Sequence, residues 1–274
     1  MNKYSISYTY SATLMKEVKT RKNNGRELAA FAPFYGSDIN LDTLFSGRPQ
    51  GGGFLYDLPY ARQEAEFVAQ ISDGNLYLND NAKESVFKNV ADNYNIVHLA
   101  MHTYLSDKNP MNSAMIFSQI DDNPEDGLLY TWEVYGITLN ARMVVLSSCN
   151  TGTGLLSTGE GILSLARGFL YSGSQSVVMS MWEIEDKSGT EIINNFYRNL
   201  KKGNTKSIAL RKSRSAYLKR ATQLKSHPYF WATLVIYGDN SPVYPSVGKI
   251  IMTTAFLLLL CTGLLFYLRK RKYS

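Results

Sequence analysis

The chain has 274 residues, of which 45% are hydrophobic and 19% are charged, so its composition fits a folded protein and excludes a disordered or fibrous one. Its formal net charge is +6, and the run RKRK at 269–272 supplies four of those charges, which leaves +2 for the rest. A nearly neutral body with a basic end lacks the broad basic surface of a nucleic-acid-binding protein, so no nucleic acid is expected among its partners.

The first part of the chain is predicted to hold two strands and two helices, with a short strand between the helices. The alternation of polar and apolar residues over Tyr4–Tyr10 indicates a half-buried strand, and Ala29–Tyr35 reads as a core strand. The next predicted elements are a helix over Pro59–Ile71, a strand over Asn75–Leu78 and a helix over Lys83–Asp92. A strand at the first residues, with no hairpin partner nearby, leads us to expect a fragment of a longer protein that lacks an earlier strand.

The central part alternates short apolar strands with helical segments. The predicted strands are Asn95–Met101, Ala114–Ser118, Arg142–Ser147, Gln175–Met181 and Phe230–Tyr237. The predicted helices are Asp126–Tyr135, Ile162–Tyr171, Asp186–Leu200 and Thr205–Arg220. This alternation is typical of an α/β domain, here residues 1–240, whose mainly parallel sheet is covered by helices on both faces.

The C-terminal part is predicted to cross a membrane. After a Pro-containing linker at 241–249, residues 250–268 carry no charge, and as a helix they would span just under ~30 Å, about a bilayer core. A buried core helix is the alternative, but the run is apolar on all sides. The basic tail at 269–274 favours a cytoplasmic C-terminus, with the domain extracytoplasmic if a longer precursor carries a signal, and cytoplasmic otherwise.

The thiol inventory is small. The two cysteines are Cys149 and Cys261, and Cys261 lies within the apolar run, so we expect no disulfide between them. One thiol is left for the rest of the chain, which excludes a disulfide framework and a multi-cysteine zinc site. No group of His, Asp and Glu has convincing metal-ligand spacing, so neither a metal nor an organic cofactor is expected.

Two reactive side chains follow buried strands. His102 comes directly after the predicted strand that ends at Met101, and Cys149 comes two residues after the one that ends at Ser147. In a parallel sheet the sites collect beyond the carboxyl ends of the strands, so if the two strands are neighbours a thiol emerges beside a general base. The glycine-rich turn after Cys149 has backbone N–H groups that suit an oxyanion. A buried structural cysteine is the alternative.

Two other histidines and other cysteine-based or serine-based sites are the competing interpretations. His98 lies inside the strand on the same face as His102 and reads as a packed core histidine, whereas His227 precedes a proline in a loop. A phosphatase loop would need arginine at position 155, where Leu155 stands, and the turn lacks the Gly-Lys-Ser/Thr of a phosphate loop. No Gly-x-Ser-x-Gly elbow is present either.

Several segments together resemble a known family. They are YSISYTYSATL, LPYARQEAEFVAQ, NIVHLAMH at 95–102, DGLLYTWEVYGITLNARMVVLSSCNTGTG at 126–154, GEGILSLARGFLYSGSQSVVMSMWEIED at 159–186 and HPYFWATLVIYGD at 227–239. In combination they are similar to the CHAT domain, a caspase-like module often attached to tetratricopeptide repeats. The resemblance covers about residues 4–239 and implies a caspase–haemoglobinase fold, in the clan that includes separase and gingipain.

The resemblance also implies residue roles. His102 and Cys149 match the catalytic dyad, and the backbone N–H groups of Thr103 and Cys149 match the oxyanion donors, although Thr103 stands where the family usually has glycine. Asp186, in an acidic run with Glu183 and Glu185, matches the carboxylate that receives a basic P1 side chain in separase-like members. A cap for the following helix is the competing role for Asp186.

These expectations add up to a membrane-anchored cysteine endopeptidase that acts on a protein or peptide and cleaves after basic residues. A tetratricopeptide-repeat region is the expected neighbour or partner. The first alternative is a non-catalytic CHAT-type interaction or signalling module at the membrane. The second is a small-molecule acyl transferase that uses the same dyad and would act on thioesters but not on peptides.

Overall fold

The computed structural model describes residues 4–19, 25–36, 39–45, 54–106, 108–120, 122, 124–150, 160–182, 185–245 and 262. Its strands are β1 (Arg26–Ala32), β2 (Asn75–Leu78), β3 (Tyr94–Tyr104), β4 (Ala114–Ile116), β5 (Leu128–Tyr130), β6 (Met143–Asn150), β7 (Ser176–Ser180) and β8 (Leu234–Gly238). Its helices are α1 (Ala12–Lys19), α2 (Leu41–Leu44), α3 (Pro59–Ser72), α4 (Glu84–Val90), α5 (Thr131–Val134), α6 (Glu160–Tyr171), α7 (Asp186–Lys201) and α8 (Lys206–Leu218). Short 3-10 helices lie at Asn79–Asn81, Ala91–Asn93, Pro110–Asn112 and Pro228–Phe230.

One sheet organises the molecule, with strand order β2-β1-β3-β6-β7-β8. All neighbours along this path are parallel except β7 and β8, and the short strands β4 and β5 extend antiparallel from the end of β3. The mainly parallel α/β sheet that the sequence predicts is therefore confirmed. The chain order reverses at β1, since β2 lies on one side of it and β3 on the other, and such switch points are where open α/β sheets bind ligands.

Helices cover both faces of this sheet. The connection from β1 to β2 runs through α3 in one direction, and the connection from β6 to β7 runs through α6 in the other. Because both are parallel crossovers of the same right hand, α3 and α6 lie on opposite faces. Helices α7 and α8 pack against each other, and α7 packs on α3, so these three share one face.

The central strands are apolar because they are buried between these layers. In β3 all residues but Asn95 are buried, and in β6 Met143–Leu146 are fully buried. The continuous runs NIVHLAM and RMVVL in the sequence are typical of such two-sided burial in a parallel sheet. Buried polar side chains in β3, His98 and His102 among them, are therefore the exceptions that need an explanation.

Some predicted elements differ from the structure. The helix predicted over Asp126–Tyr135 is in part the strand β5, because Leu128–Tyr130 pairs with β4, and only Thr131–Val134 is helical. In the predicted strand Tyr4–Tyr10, only Tyr8 pairs, through one bridge to Tyr237. The strand predicted from Phe230 begins at Leu234, after a 3-10 helix.

The prediction of a transmembrane helix has to be corrected. Within the residues described above, no helix has the length and apolar character needed to cross a bilayer. The longest of them, α7, has 16 residues and carries charged side chains such as Asp186 and Arg198, whereas a span takes about 20 apolar residues. Apart from Thr262, the predicted span at 250–268 and the basic tail at 269–274 lie outside the described residues. The membrane-spanning part of the fold prediction is therefore wrong.

Candidate active site

Strands β3 and β6 bring His102 and Cys149 together in register. The two strands are parallel neighbours, and His102 and Cys149 are direct register partners. Such partners lie about 4.8 Å apart across a sheet. Both strands run further than the sequence predicts: β3 ends at Tyr104 and β6 at Asn150. His102 and Cys149 therefore belong to the ends of the strands and not to the loops that follow. The two strands are neighbours, as the predicted dyad requires. The side chain of Cys149 lies outside what the structure describes.

The imidazole of His102 is buried and held by a backbone carbonyl. Its Nε2 lies 2.7 Å from the carbonyl oxygen of Tyr56. A carbonyl oxygen only accepts hydrogen bonds, so Nε2 carries the proton and the lone pair of the neutral ring is on Nδ1. This arrangement assigns the basic nitrogen of His102 without reference to a substrate.

Two tyrosines that the sequence interpretation missed enclose this ring. The ring of Tyr35 lies 4.8 Å from the imidazole at 56°, and that of Tyr56 lies 5.1 Å away, edge-on. Tyr35 Oη accepts the backbone N–H of His102 at 3.0 Å and donates to the carbonyl of Ile116 in β4 at 2.6 Å. Tyr35 was detectable, because it follows β1 at the carboxyl edge of a strand parallel to β3. Tyr56 lies in a loop and gives no signal in the sequence.

The remaining dyad neighbour, Thr103, is buried within the paired part of β3. It is register partner to Met115 in β4 on one side and to Asn150 in β6 on the other. That the backbone N–H groups of Thr103 and Cys149 hold an oxyanion stays a prediction.

A small cavity of about 20 Å³ lies between strands β6 and β7 of the sheet and helices α3 and α7. Ser147 and Ser180 contribute from these strands, Asp186 from the start of α7, and Glu64 from α3. Burial raises the pKa of Asp186 to about 6, and the nearby charge of Glu64 adds to the shift, while a hydrogen bond from the Tyr60 backbone N–H opposes it. The cavity thus holds a carboxyl group whose charge is expensive to bury.

The three acids predicted to bind substrate do not share one environment. Glu183 lies outside the described residues. Glu185 accepts from Lys225 Nζ at 2.8 and 2.9 Å, and these bonds together with one from Ser188 lower its pKa. Asp186 is the one that lines the cavity. Its carboxylate accepts from the start of α3 at 3.3 Å rather than capping α7, whose N-cap is Glu185, so it links the two helices.

The other two histidines occupy the places that the sequence predicts. His98 is fully buried in β3, with Nε2 3.0 Å from Glu64 Oε1 and Nδ1 3.1 Å from Tyr197 Oη. His227 caps the 3-10 helix at Pro228–Phe230, where its Nδ1 accepts from the Tyr229 backbone N–H.

One acidic group among the described residues has the spacing to hold a metal. Carboxylate oxygens of Glu84, Glu125 and Glu133 lie within 4.8 Å of one another. Lys88 Nζ lies among them, at 2.7, 2.6 and 2.8 Å from the three in that order. Lysine therefore supplies the positive charge at this site, and we call these four residues the Lys88 cluster.

Comparison with curated proteins gives two relatives of the same name. Tetratricopeptide repeat protein 28 of Homo sapiens is 25% identical over 251 residues, which cover 77% of this chain and 10% of that protein. Its Mus musculus counterpart is 28% identical over 119 residues, which cover 42% of this chain and 5% of that protein. The chain thus spans a tenth or less of the length of these curated relatives.

Solved structures share the fold at low identity. The complex of the pro- and mature domains of Porphyromonas gingivalis RgpB matches with a TM-score of 0.51 and 11% identity, over 85% of this chain and 53% of that one. The Saccharomyces cerevisiae separase–securin complex matches with a TM-score of 0.51 and 16% identity, over 85% of this chain and 14% of that one. These neighbours, a gingipain and a separase, are caspase-like cysteine peptidases. A family model described as the CHAT domain matches residues 1–239, and the chain therefore belongs to the CHAT domain family.

Proposed function

We propose that this chain is a cysteine peptidase domain in which Cys149 is the nucleophile and His102 its general base. The observation that carries the proposal is the register pairing of the two residues on adjacent parallel strands. The hydrogen bond from His102 Nε2 to the Tyr56 carbonyl supports it, because it leaves Nδ1 as the basic nitrogen and fixes the ring, as a base in a nucleophilic pair requires.

The reaction would run in two halves. His102 takes the proton of the Cys149 thiol, and the thiolate adds to the carbonyl carbon of the scissile peptide bond. Backbone N–H groups of Cys149 and Thr103 hold the oxyanion, and His102 returns its proton to the leaving amine as the carbon–nitrogen bond breaks. Water, deprotonated by His102, then attacks the thioester, which releases the acid product and restores the thiol.

Asp186 is the proposed acceptor for a basic P1 side chain. It lines the cavity between β6, β7, α3 and α7, and in the described part of the chain it has no ion pair with a lysine or arginine. The cavity volume of about 20 Å³ holds roughly one water molecule, so a lysine or arginine side chain enters only when the cavity widens. The name of the curated relatives supports a tetratricopeptide-repeat region as the neighbour or partner.

The test compares the wild-type protein with Cys149→Ala on a peptide library that varies P1. We expect cleavage by the wild type, enriched for basic P1, and none by the variant. Cys261→Ser is the matched control, because it removes the other thiol and should leave turnover unchanged. Turnover that persists in Cys149→Ala at the wild-type rate would refute the assignment.

A non-catalytic interaction module is the second candidate. Thr103 favours it, because a buried residue in a strand paired on both sides stands where the family usually has glycine. The curated relatives are also named for their repeats and not for an activity. This candidate predicts that no library peptide is cleaved and that the wild type and Cys149→Ala bind the same repeat-region fragment with equal affinity.

A further inference from the structure

Glu64 is a second carboxylate in the cavity that contains Asp186. It lies in the middle of α3, is 2% exposed, and lines the cavity together with Asp186, although the two residues are 122 positions apart in sequence. Neither the dyad chemistry nor the P1 acceptor proposed above uses it. A buried carboxylate at the wall of a cavity needs a partner for its charge.

The partner within the fold is a histidine and not a cation of fixed charge. Glu64 Oε1 lies 3.0 Å from His98 Nε2, and the other nitrogen of His98 faces Tyr197 Oη at 3.1 Å. These contacts come from the core side, where β3 and α7 lie. Among the ion pairs of the described residues, no lysine or arginine reaches Glu64 or Asp186.

Glu185, the residue directly before Asp186, has a cation partner that the two cavity acids lack. Lys225 contacts both oxygens of Glu185, so that acid is neutralised within the chain. The two acids inside the cavity are left as one concave surface of negative charge. Its electrostatic coupling is visible in Asp186, whose pKa rises through burial and then through the charge of Glu64. Two carboxylates that line one cavity from different helices form an acceptor for a cation with several donors.

We infer that Glu64 is a specificity-determining residue that acts with Asp186 to bind a guanidinium group in preference to an ammonium group. A guanidinium is planar and presents five N–H donors in a fixed fork, so it can donate to two carboxylates at once. An ammonium is compact and more strongly hydrated, so it loses more when it enters a closed cavity. This inference rests on the proposed function, since it names a second residue for the P1 pocket.

Binding tests the inference without turnover. The Cys149→Ala protein is titrated with butylguanidine and, separately, with pentylamine, and dissociation constants are measured by ligand-observed NMR. We expect butylguanidine to bind more tightly than pentylamine. Glu64→Gln should weaken butylguanidine about tenfold or more and pentylamine less, so that the preference shrinks, because one charge-assisted pair of hydrogen bonds is lost. Asp186→Asn should weaken both ligands.

Controls keep the inference separate from folding and from catalysis. Glu66→Gln is on the same helix but exposed and paired with Arg62, and it should leave both ligands unaffected. Glu64→Asp keeps the charge and replaces Glu64→Gln if the latter unfolds, as judged by its melting curve, and it should also reduce the preference. Unaltered butylguanidine binding in a folded Glu64 variant, or no binding by the parent protein at about 10 mM, overturns the inference. Absence of peptide cleavage refutes the peptidase alone, since these titrations need no active thiol.

Discussion

Two groups of acidic residues in this molecule differ in whether the chain neutralises their charge. In the Lys88 cluster, three glutamates surround one lysine that comes from the same fold, and every carboxylate has an ion pair. In the cavity of Asp186 and Glu64, two carboxylates meet and the described residues provide no lysine or arginine. The first arrangement stabilises the fold, whereas the second has negative charge left for a ligand.

Position in the fold accounts for the difference. The Lys88 cluster joins α4 to the segment around α5, and Glu84 within it is fully buried, with burial raising its pKa to about 7 against the opposing effect of Lys88. The cavity lies instead between the sheet and helices α3 and α7, where Ser147 lines it two residues before Cys149 in β6. Sites of α/β sheets form near the carboxyl ends of the strands, where Cys149 and His102 lie. The acids of the Lys88 cluster are neutralised within the chain and the two acids of the cavity have no lysine or arginine among the described residues, which separates structural acids from candidate functional ones.

The largest expected effect is on the stability that the Lys88 cluster contributes. Lys88→Met should lower the free energy of unfolding at neutral pH by about 3 kcal/mol, because three carboxylates, one of them buried, lose the cation that they share. The loss should shrink as the pH falls below about 7, since the pKa of Glu84 is already raised above its usual value and rises further without Lys88, so the native state gains protons relative to the unfolded state.

Chemical denaturation at a series of pH values measures this. Arg62→Met is the matched control, because it removes the cation of an exposed ion pair with Glu66 and should cost no more than about 0.5 kcal/mol. Equal losses in both variants would show that the ion pairs of the Lys88 cluster do not stabilise the fold more than an exposed ion pair does.

In the cavity of Asp186 and Glu64, loss of a charge should affect activity and not stability. Asp186→Asn should lower kcat/KM for peptides with arginine at P1 by about 100-fold and leave norleucine peptides unchanged, because it removes one charge-assisted acceptor. The free energy of unfolding at neutral pH should stay level or rise, since the fold disfavours the ionised form of Asp186, whose pKa is raised to about 6.

Paired kinetics and unfolding curves of the same preparations measure both quantities. Glu185→Gln serves as the control, since Glu185 is partly exposed and occupied by Lys225, and its effect on either peptide should stay within about threefold. A loss of stability in Asp186→Asn as large as that in Lys88→Met would place Asp186 with the structural acids.

The pH dependence of P1 preference offers a smaller effect. In the wild type, the ratio of kcat/KM for arginine to norleucine peptides should rise from about pH 5 to about pH 7 and then level off, because Asp186 ionises with a pKa of about 6. Glu64→Gln should move the midpoint to lower pH, since the charge of Glu64 contributes to the raised pKa. A ratio that does not vary with pH would exclude Asp186 as the P1 acceptor.

The smallest effect concerns the support of the base. Tyr35→Phe should reduce kcat about tenfold with KM unchanged, equally for both peptides, because the hydroxyl that accepts the His102 N–H and donates to Ile116 is lost. Tyr77→Phe is the matched control: it removes a tyrosine hydroxyl bonded to Tyr94 Oη in the same sheet, and should leave kcat unchanged. Equal effects of the two changes on kcat would show that Tyr35 has no positioning role.

The sequence carried much of this arrangement, and its limits have physical reasons. The runs around His98 and Val144 predict buried parallel strands, and the carboxyl-edge rule then predicts that His102 and Cys149 meet. The rule applies to any residue at that edge, so it extends to Tyr35. Glu64 was hidden because a carboxylate on an otherwise ordinary helix looks solvated until the sheet buries it.

Two other features were beyond local patterns. The strand β5 is stabilised by its pairing with β4, a tertiary contact that outweighs the helical appearance of its sequence. The carbonyl of Tyr56 belongs to a loop, and a backbone oxygen has no signature in the side-chain sequence. The transmembrane helix was predicted from the length of the run at 250–268, its apolar character on all sides and the basic tail after it. Among the described residues, no helix is long and apolar enough to cross a bilayer.

The central claim, that Cys149 is a nucleophile activated by His102, is tested most directly by selective alkylation. The protein is treated with a peptidyl acyloxymethyl ketone that carries arginine at P1, and modification of Cys149 and Cys261 is followed by mass spectrometry in the wild type and in His102→Ala. We expect rapid labelling of Cys149, little of Cys261, and a rate at Cys149 that falls about 100-fold or more without His102. Labelling of the two cysteines at similar rates, unchanged in His102→Ala, would contradict the account.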